Sequence, residues 1–410
     1  MKLPIPHDAY LLAASQASRV LGPGLAMIVL AAAWSPELFG KFATSYALAF
    51  LVVFGFTAGA SAYVLDQTPR SPANSREIRH TAGMALVGAV SAGVALYIFS
   101  KNFLGNDEVY SSWYLKYLFG IATESALVEF YISSLRGLKH ERSITVSNIA
   151  SNLAFFVSAV VVASFFEPSV QSANAVAICW GIIRAVQAYY LRDQVHRIEP
   201  PQIKTRLSFR QVLPFIASQS AGVFYTHLDT LLVRAFLGEA AAGLYNAALR
   251  LLQLASMGAQ TLSQWFQPRL AAYEPDSPEW LRQRKLLRLC LAAIAVGGLV
   301  VFTLASDLVI RLLYGAAYAD AAPILFLAGF VLAFRCFVAG QWMELTARQL
   351  ETHRARDSWL LLGMFLALAW PLATEQGGSG VMMAHLLALG PVAAFSARSL
   401  ARAAPPSRQD

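Results

Sequence analysis

Charge is scarce in this chain. Asp, Glu, Lys and Arg make up 14% of its 410 residues, against roughly 25% in soluble domains. That is too little to wet the surface of an ordinary globular protein. Cysteine is nearly absent as well. Cys179, Cys290 and Cys336 are scattered, with neither a disulfide framework nor zinc-ligand spacing. They read as small apolar packing residues, and no metal or cofactor is implied. Only seven histidines are present, and no HExxH, CxxC, GxSxG or Walker pattern occurs. Long polar loops are missing too. An integral-membrane enzyme acting on large outer substrates needs such a loop to carry its catalytic residues, so the chain is not expected to be an enzyme.

What the chain has instead is hydrophobic sequence, 57% of it. The expected fold is all-α and polytopic, because backbone groups inside hydrocarbon must be paired within the segment. Twelve apolar stretches approach the roughly 20 residues that span a bilayer core. They lie near 9–33, 42–65, 80–100, 112–135, 144–166, 173–192, 211–236, 240–266, 287–313, 321–347, 357–374 and 379–399. No removable signal peptide is evident. With the N-terminus inside, cytoplasmic segments hold 23 of the 32 Lys and Arg, and outer segments hold five. This asymmetry predicts both termini on the cytoplasmic side. It also accounts for the net charge of +8 without nucleic acid. The segment Pro278–Arg288, with Trp280 and four cations, reads as an interfacial helix on the inner leaflet.

The sequence also repeats. Residues 14–51 align without a gap onto 217–254, with Ala14, Ser15, Gln16, Val20, Leu25, Ala32, Gly40, Leu48 and Leu51 recurring at an offset of 203. Spans 1 and 7 enter from the same side, so the repeat is parallel. Two six-helix lobes are expected, 1–200 and 201–410, around a central polar cavity. The basic stretch 193–210, with Pro200-Pro201, joins them. Two like halves in a membrane protein point to transport at their interface.

Four arginines fall inside spans: Arg19, Arg184, Arg250 and Arg335. A cation at mid-bilayer costs about 2.5–3.5 kcal/mol or more, so each must face a bundle interior or a wet cavity. On span 8, Asn246, Arg250, Gln253, Met257, Gln260 and Gln264 share one helical face. Gln219 and Asp229 mark span 7. Ser15, Gln16 and Arg19 mark span 1. Trp180, Arg184 and Gln187 mark span 6. Guanidinium groups bind phosphate or carboxylate bidentately, and amides suit hydroxyl-rich sugars. Tyr114, Tyr117, Tyr131 and Trp180 are candidates for stacking on sugar faces or anchoring at the interface. The ligand implied is an anionic, polar group handled at membrane depth. The bland reading is that each arginine pairs with a buried acid, such as Glu124 or Asp229, and only joins helices. Asp229, Glu124 and His227 are candidates for holding a coupling proton or sodium ion.

A family likeness adds to this reading. Asp229–Leu232, Phe236-Leu237-Gly238 and Gly243–Ala248 resemble the middle of Wzx-type polysaccharide flippases, in the multidrug/oligosaccharidyl-lipid/polysaccharide exporter superfamily. Pro268-Arg269-Leu270, Leu313-Tyr314-Gly315 with Tyr318 and Pro323, Phe39–Phe42 and Ser134–Gly137 are similar to further family segments. The resemblance implies alternating access and transport of an undecaprenyl-pyrophosphate-linked oligosaccharide from the inner to the outer leaflet of a bacterial inner membrane. It implies cavity contacts at Arg19 and Arg250, and as partners the bilayer and the polymerase and glycosyltransferases of the same pathway. With twelve spans there is no extra C-terminal helix pair, so the lipid-tail groove of the lipid II flippase branch is not expected. The Gly22-Pro23-Gly24 break reads as a bend in span 1. The alternatives are a cation-coupled drug or small-molecule exporter of the same superfamily, and a membrane scaffold without transport.

Overall fold

The computed structural model describes residues 7–70, 112–138, 140–198, 212–271, 273–348 and 350–403, with isolated positions between 78 and 91. Span 3, the outer loop near 101–111 and the Pro200-Pro201 linker lie largely or wholly outside the described residues. Every described element is helical. In order they are α1 (His7–Arg19), a π-helical turn (Val20–Gly24), α2 (Leu25–Ala33), α3 (Pro36–Arg70), α4 (Ser112–Gly137), α5 (Glu141–Phe165), α6 (Val170–Ile198), α7 (Leu213–Leu237), α8 (Glu239–Ala271), α9 (Pro278–Leu304), α10 (Ser306–Tyr314), a 3₁₀ turn (Ala316–Ala321), α11 (Ala322–Ala347) and α12 (Glu351–Ala403). The last is a hairpin of two helices. It turns at Gly377, whose φ is 62°, and Phe365 stacks on His385 across it at 4.2 Å.

Five described segments are long and apolar enough to cross a membrane: Pro36–Gly55, Glu141–Phe165, Pro278–Leu304, Ala316–Ala347 and Thr352–Arg402. The other long helices are those carrying the polar residues noted above: Glu124 and Glu129 on α4, Arg184 and Gln187 on α6, Asp229 on α7, and Asn246, Arg250 and Gln253 on α8. Low apolarity and an inward polar face are the same fact seen twice. The protein is a multi-pass membrane protein.

Contacts divide the chain into two compact units, Met1–Leu231 and Leu232–Asp410, the division falling within α7. In the first unit, α3 packs on α4, and α4 on α6; in the second, α8 packs on α11, and α11 on the α12 hairpin. Span 2 packs on span 4 in the first copy as span 8 packs on span 10 in the second. Even the turn between the first two spans corresponds. Ser35 stands at the position that Gly238 occupies in the second copy. Ser35 accepts the Leu38 N–H at 3.3 Å as a helix cap. Gly238 breaks the chain at the same position but with φ 86°, a conformation that Ser35 does not adopt.

Two sequence expectations change. Pro278–Arg288 is not a separate interfacial helix: it forms the first turns of α9, with Ser277 accepting the Trp280 N–H at 3.3 Å. Trp280 is fully buried. The ninth span is correspondingly α9 itself, and the chain breaks at Ala305 before the short α10, where one stretch of 287–313 was expected. The family-like segment Leu313–Pro323 has a structural job here. Gly315, at φ 83°, ends α10, the Tyr314 hydroxyl donates to the Ala247 carbonyl at 3.0 Å, and Tyr318 is buried.

Within the first unit, Gly55 and Gly59 lie one turn apart on α3 against the start of α7. A Cβ on Gly55 would meet the Phe224 ring at 2.8 Å, and one on Gly59 would overlap the Ile216 backbone. Ser220 donates to the Gly55 carbonyl. Small residues let these backbones touch. Gly59→Val therefore has to push α3 off α7 and should destabilise the protein by about 1–3 kcal/mol. Gly120→Ala, where nothing lies within 4 Å, should stay within about 0.5 kcal/mol. Denaturant titration of both variants in detergent checks the contrast.

Candidate functional site

Polar side chains in the first unit form a connected ladder across α1, α5 and α6. On α5, Ser147, Asn148, Ser151 and Asn152 share one face and are all buried. Asn148 donates to Ser15 Oγ at 2.7 Å, and Asn152 to Ser18 Oγ at 3.1 Å. Gln187 of α6 donates to Asn148 Oδ1 at 2.8 Å and Ser147 Oγ at 3.3 Å. Its own Oε1 accepts from Arg184 at 2.6 Å. Each rung satisfies a group that hydrocarbon would leave unpaired. The expected break in span 1 is the π-helical turn, with Pro23 inside it. Gly22 there sits so close to α5 that a Cβ would meet Asn152 Cβ at 2.5 Å.

Arg19 ends α1 just before this turn and pairs with Glu129 of α4 at 2.6 Å. Arg184 lies within electrostatic reach of both. The Arg19 and Glu129 side chains are 43% and 31% exposed, so the pair is open to a visitor. An ion pair this exposed contributes about 1 kcal/mol or less. Two guanidinium groups around one carboxylate leave a positive excess. One turn along α6 from Arg184, Trp180 begins an aromatic wall. It stacks on Tyr46 at 5.3 Å and tilts against Phe155 at 4.4 Å. Phe50 and Phe54 continue the wall along α3, their rings 4.8 Å apart. His227 of α7 sits 6.2 Å from Tyr46 and 5.9 Å from Phe50.

The remaining sequence candidates are distributed as follows. In the first unit Gln219 is half-buried on α7, and Glu124 half-buried on α4. Arg19 takes its carboxylate from Glu129 and not from Glu124. Asp229 is buried, its Oδ1 2.6 Å from the Thr230 N–H. Gln16 belongs to α1, and its side chain lies outside the described set, as do those of Tyr114, Tyr117 and Gln264. In the second unit Arg250 donates to Gln253 Oε1 at 3.0 Å along α8. Asn246 is buried and donates back to the Ala242 carbonyl at 2.8 Å. Gln260 is exposed, and Arg335 is half-buried on α11. Tyr131 is half-buried and packs against two apolar clusters, one centred on Tyr63 and Phe130 and the other on Ile132 and Leu191. No group of three or more His, Cys, Asp or Glu that could hold a metal occurs among the described residues.

Comparison with known proteins fits this architecture. The profile of the polysaccharide biosynthesis protein family matches residues 8–273, and the chain belongs to that family. No curated protein sequence matches. Among solved structures, the lipid II flippase MurJ in an inward closed conformation aligns with TM-score 0.71 at 15% identity, covering 96% of this chain and 87% of that one. An outward-facing multidrug resistance MATE family transporter of the MOP superfamily aligns with TM-score 0.69 at 13% identity, covering 97% and 96%. A Pyrococcus furiosus MOP superfamily transporter, whose binding pocket is described as reversed in polarity and suggestive of a different function, aligns with TM-score 0.67 at 13% identity, covering 96% and 94%. The fold is that of MOP superfamily transporters.

The ladder and the ion pair make opposite demands. Asn148→Ala strips partners from Gln187 and Ser15, and should cost about 1–2 kcal/mol. Glu129→Gln removes a charge yet should cost less than about 1 kcal/mol. Unfolding in detergent measures both, and a Glu129→Gln variant less stable than Asn148→Ala would contradict the assignment of structural weight to the ladder.

Proposed function

We propose that the protein is a flippase that moves an undecaprenyl-pyrophosphate-linked oligosaccharide from the inner to the outer leaflet by alternating access, during cell-surface polysaccharide synthesis. The observation that carries this reading is the open Arg19–Glu129 pair with Arg184 beside it. A pyrophosphate offers more acceptor oxygens than Glu129 and binds guanidinium bidentately. It exchanges with the carboxylate at little cost in stability, because the ladder and not the pair holds the helices. Ser, Asn and Gln groups and the Tyr46–Trp180 wall suit hydroxyl-rich, partly apolar sugar faces. Membership of a polysaccharide biosynthesis family supports the same substrate class.

In this reading the lobes are 1–200 and 201–410, and Arg250, Arg335, Asn246, Gln253 and Gln260 of the second lobe are substrate contacts in their own right. Gln16 and Gln219 join the first set. His227, Asp229 and Glu124 are the groups to test for ion coupling. The home membrane is the bacterial inner membrane with both termini cytoplasmic, and the pathway's polymerase and glycosyltransferases are the natural neighbours. No step of this cycle asks the chain to catalyse a reaction.

A drug-exporting role is the second reading, favoured by the likeness to multidrug transporters. Purified protein in liposomes, given a fluorescent pyrophosphate-linked lipid oligosaccharide, separates the two. Wild type should move the lipid across the bilayer. Arg19→Ala and Arg250→Ala should each slow this at least about tenfold, the loss of one charge-assisted contact. Efflux of cationic dyes without lipid movement would favour export.

A further inference from the structure

The second unit carries a cleft that the proposed transport path does not use. It has a volume of about 780 Å³ and lies between α9, α11 and the end of α12. Its mouth is charged. Arg284 and Arg288 of α9 clamp Glu344 of α11 at 2.8 and 2.5 Å, and Glu344 is 1% exposed. Arg348 pairs with Asp276 at 2.6 Å, and its guanidinium lies 5.0 Å over the Trp280 ring. Three guanidinium groups face two carboxylates, both already engaged. The excess is therefore cationic, and half-exposed Arg288 presents it outward. Arg398 and Arg402 are exposed on α12, next in sequence to the lining residues Ala397 and Ala401.

Below the mouth the lining turns apolar: Leu291, Ala295, Val296, Phe337 and Leu400. Val296 and Phe337 are exposed although apolar. The twelve residue steps from Arg284 to Val296 rise about 18 Å, somewhat more than one leaflet of a hydrocarbon core about 30 Å thick. A soluble anion would use the mouth and leave this floor empty. An acyl chain beneath an anionic head uses both.

We propose that this cleft binds one anionic glycerophospholipid of the surrounding bilayer, with its phosphodiester on Arg288 and an acyl chain along α9 and α11. The basic mouth marks the leaflet that is cytoplasmic under the positive-inside rule. The occupant tethers α9, α11 and α12 at that end.

Native mass spectrometry of the full chain in detergent, titrated with dioleoyl phosphatidylglycerol, tests this. One lipid should be retained, with dioleoyl phosphatidylcholine at least about tenfold weaker, because its choline cation is repelled by the arginine-rich mouth although its phosphodiester is the same. Arg288→Gln should weaken retention by a similar factor, while Arg288→Lys keeps most of it. Ala295→Phe fills the floor without touching an ion pair, and should weaken retention whether or not the Arg288 variant folds. Equal binding of the two lipids, or retention indifferent to Ala295→Phe, overturns the proposal. So does displacement by inorganic phosphate at concentrations equal to the lipid, which would mark a simple anion site. Displacement by undecaprenyl phosphate at lower concentrations than phosphatidylglycerol would assign the cleft to a carrier lipid, and overturns it too. Flipping in liposomes is a separate readout, so either proposal can fail alone.

Discussion

A polar group inside hydrocarbon must find its partner in the protein, and this requirement organises both units. In the first, Ser15, Ser18, Ser147, Asn148, Asn152, Gln187 and Arg184 satisfy one another through side-chain hydrogen bonds. The partners stand on three helices, so meeting the requirement fixes how α1, α5 and α6 cross. Apolar packing alone specifies this poorly, because lipid tails are as apolar as a leucine face.

The same chemistry gives two kinds of arginine. Around Glu344 the carboxylate is sealed between Arg284 and Arg288, and removing both would strand a buried charge at about 3–5 kcal/mol. Those arginines cannot leave their acid. Arg19 can, because its pair with Glu129 is open and weakly stabilising. The proposed function gives each kind a role: ion pairs that survive every turn of the cycle, and one whose partner the substrate replaces.

Much of this was legible in the sequence. Charge scarcity and hydrophobic spans pointed to the all-helical membrane fold that the structure has. The 4,3 spacing placed Trp180, Arg184 and Gln187 on one face, and the structure links the last two. Other features were hidden for physical reasons. Glu129 is 110 residues from Arg19, and no helical period connects them. The buried Ser147–Asn152 face did carry a signal, an i, i+4 asparagine pair in an otherwise apolar span, which attention to charge passed over. The cations of Pro278–Arg288 suggested a surface helix, whereas Trp280 is buried beneath one of them, Arg284, and beneath Arg348.

The π-helical turn at Val20–Gly24 has a consequence for how span 1 is counted. A π turn takes in about one more residue than an α turn, and each helical residue advances roughly 100°. The two sides of the turn are therefore out of phase by about that angle. A helical wheel drawn straight through residues 7–33 would aim α1 and α2 at the wrong neighbours by more than a quarter-turn. Span 1 is two rods with separate azimuths, so Ser15 and Arg19 reach α5 and α4 before the turn, while beyond it α2 still packs on α5 with Met27, Leu30 and Ala31 buried.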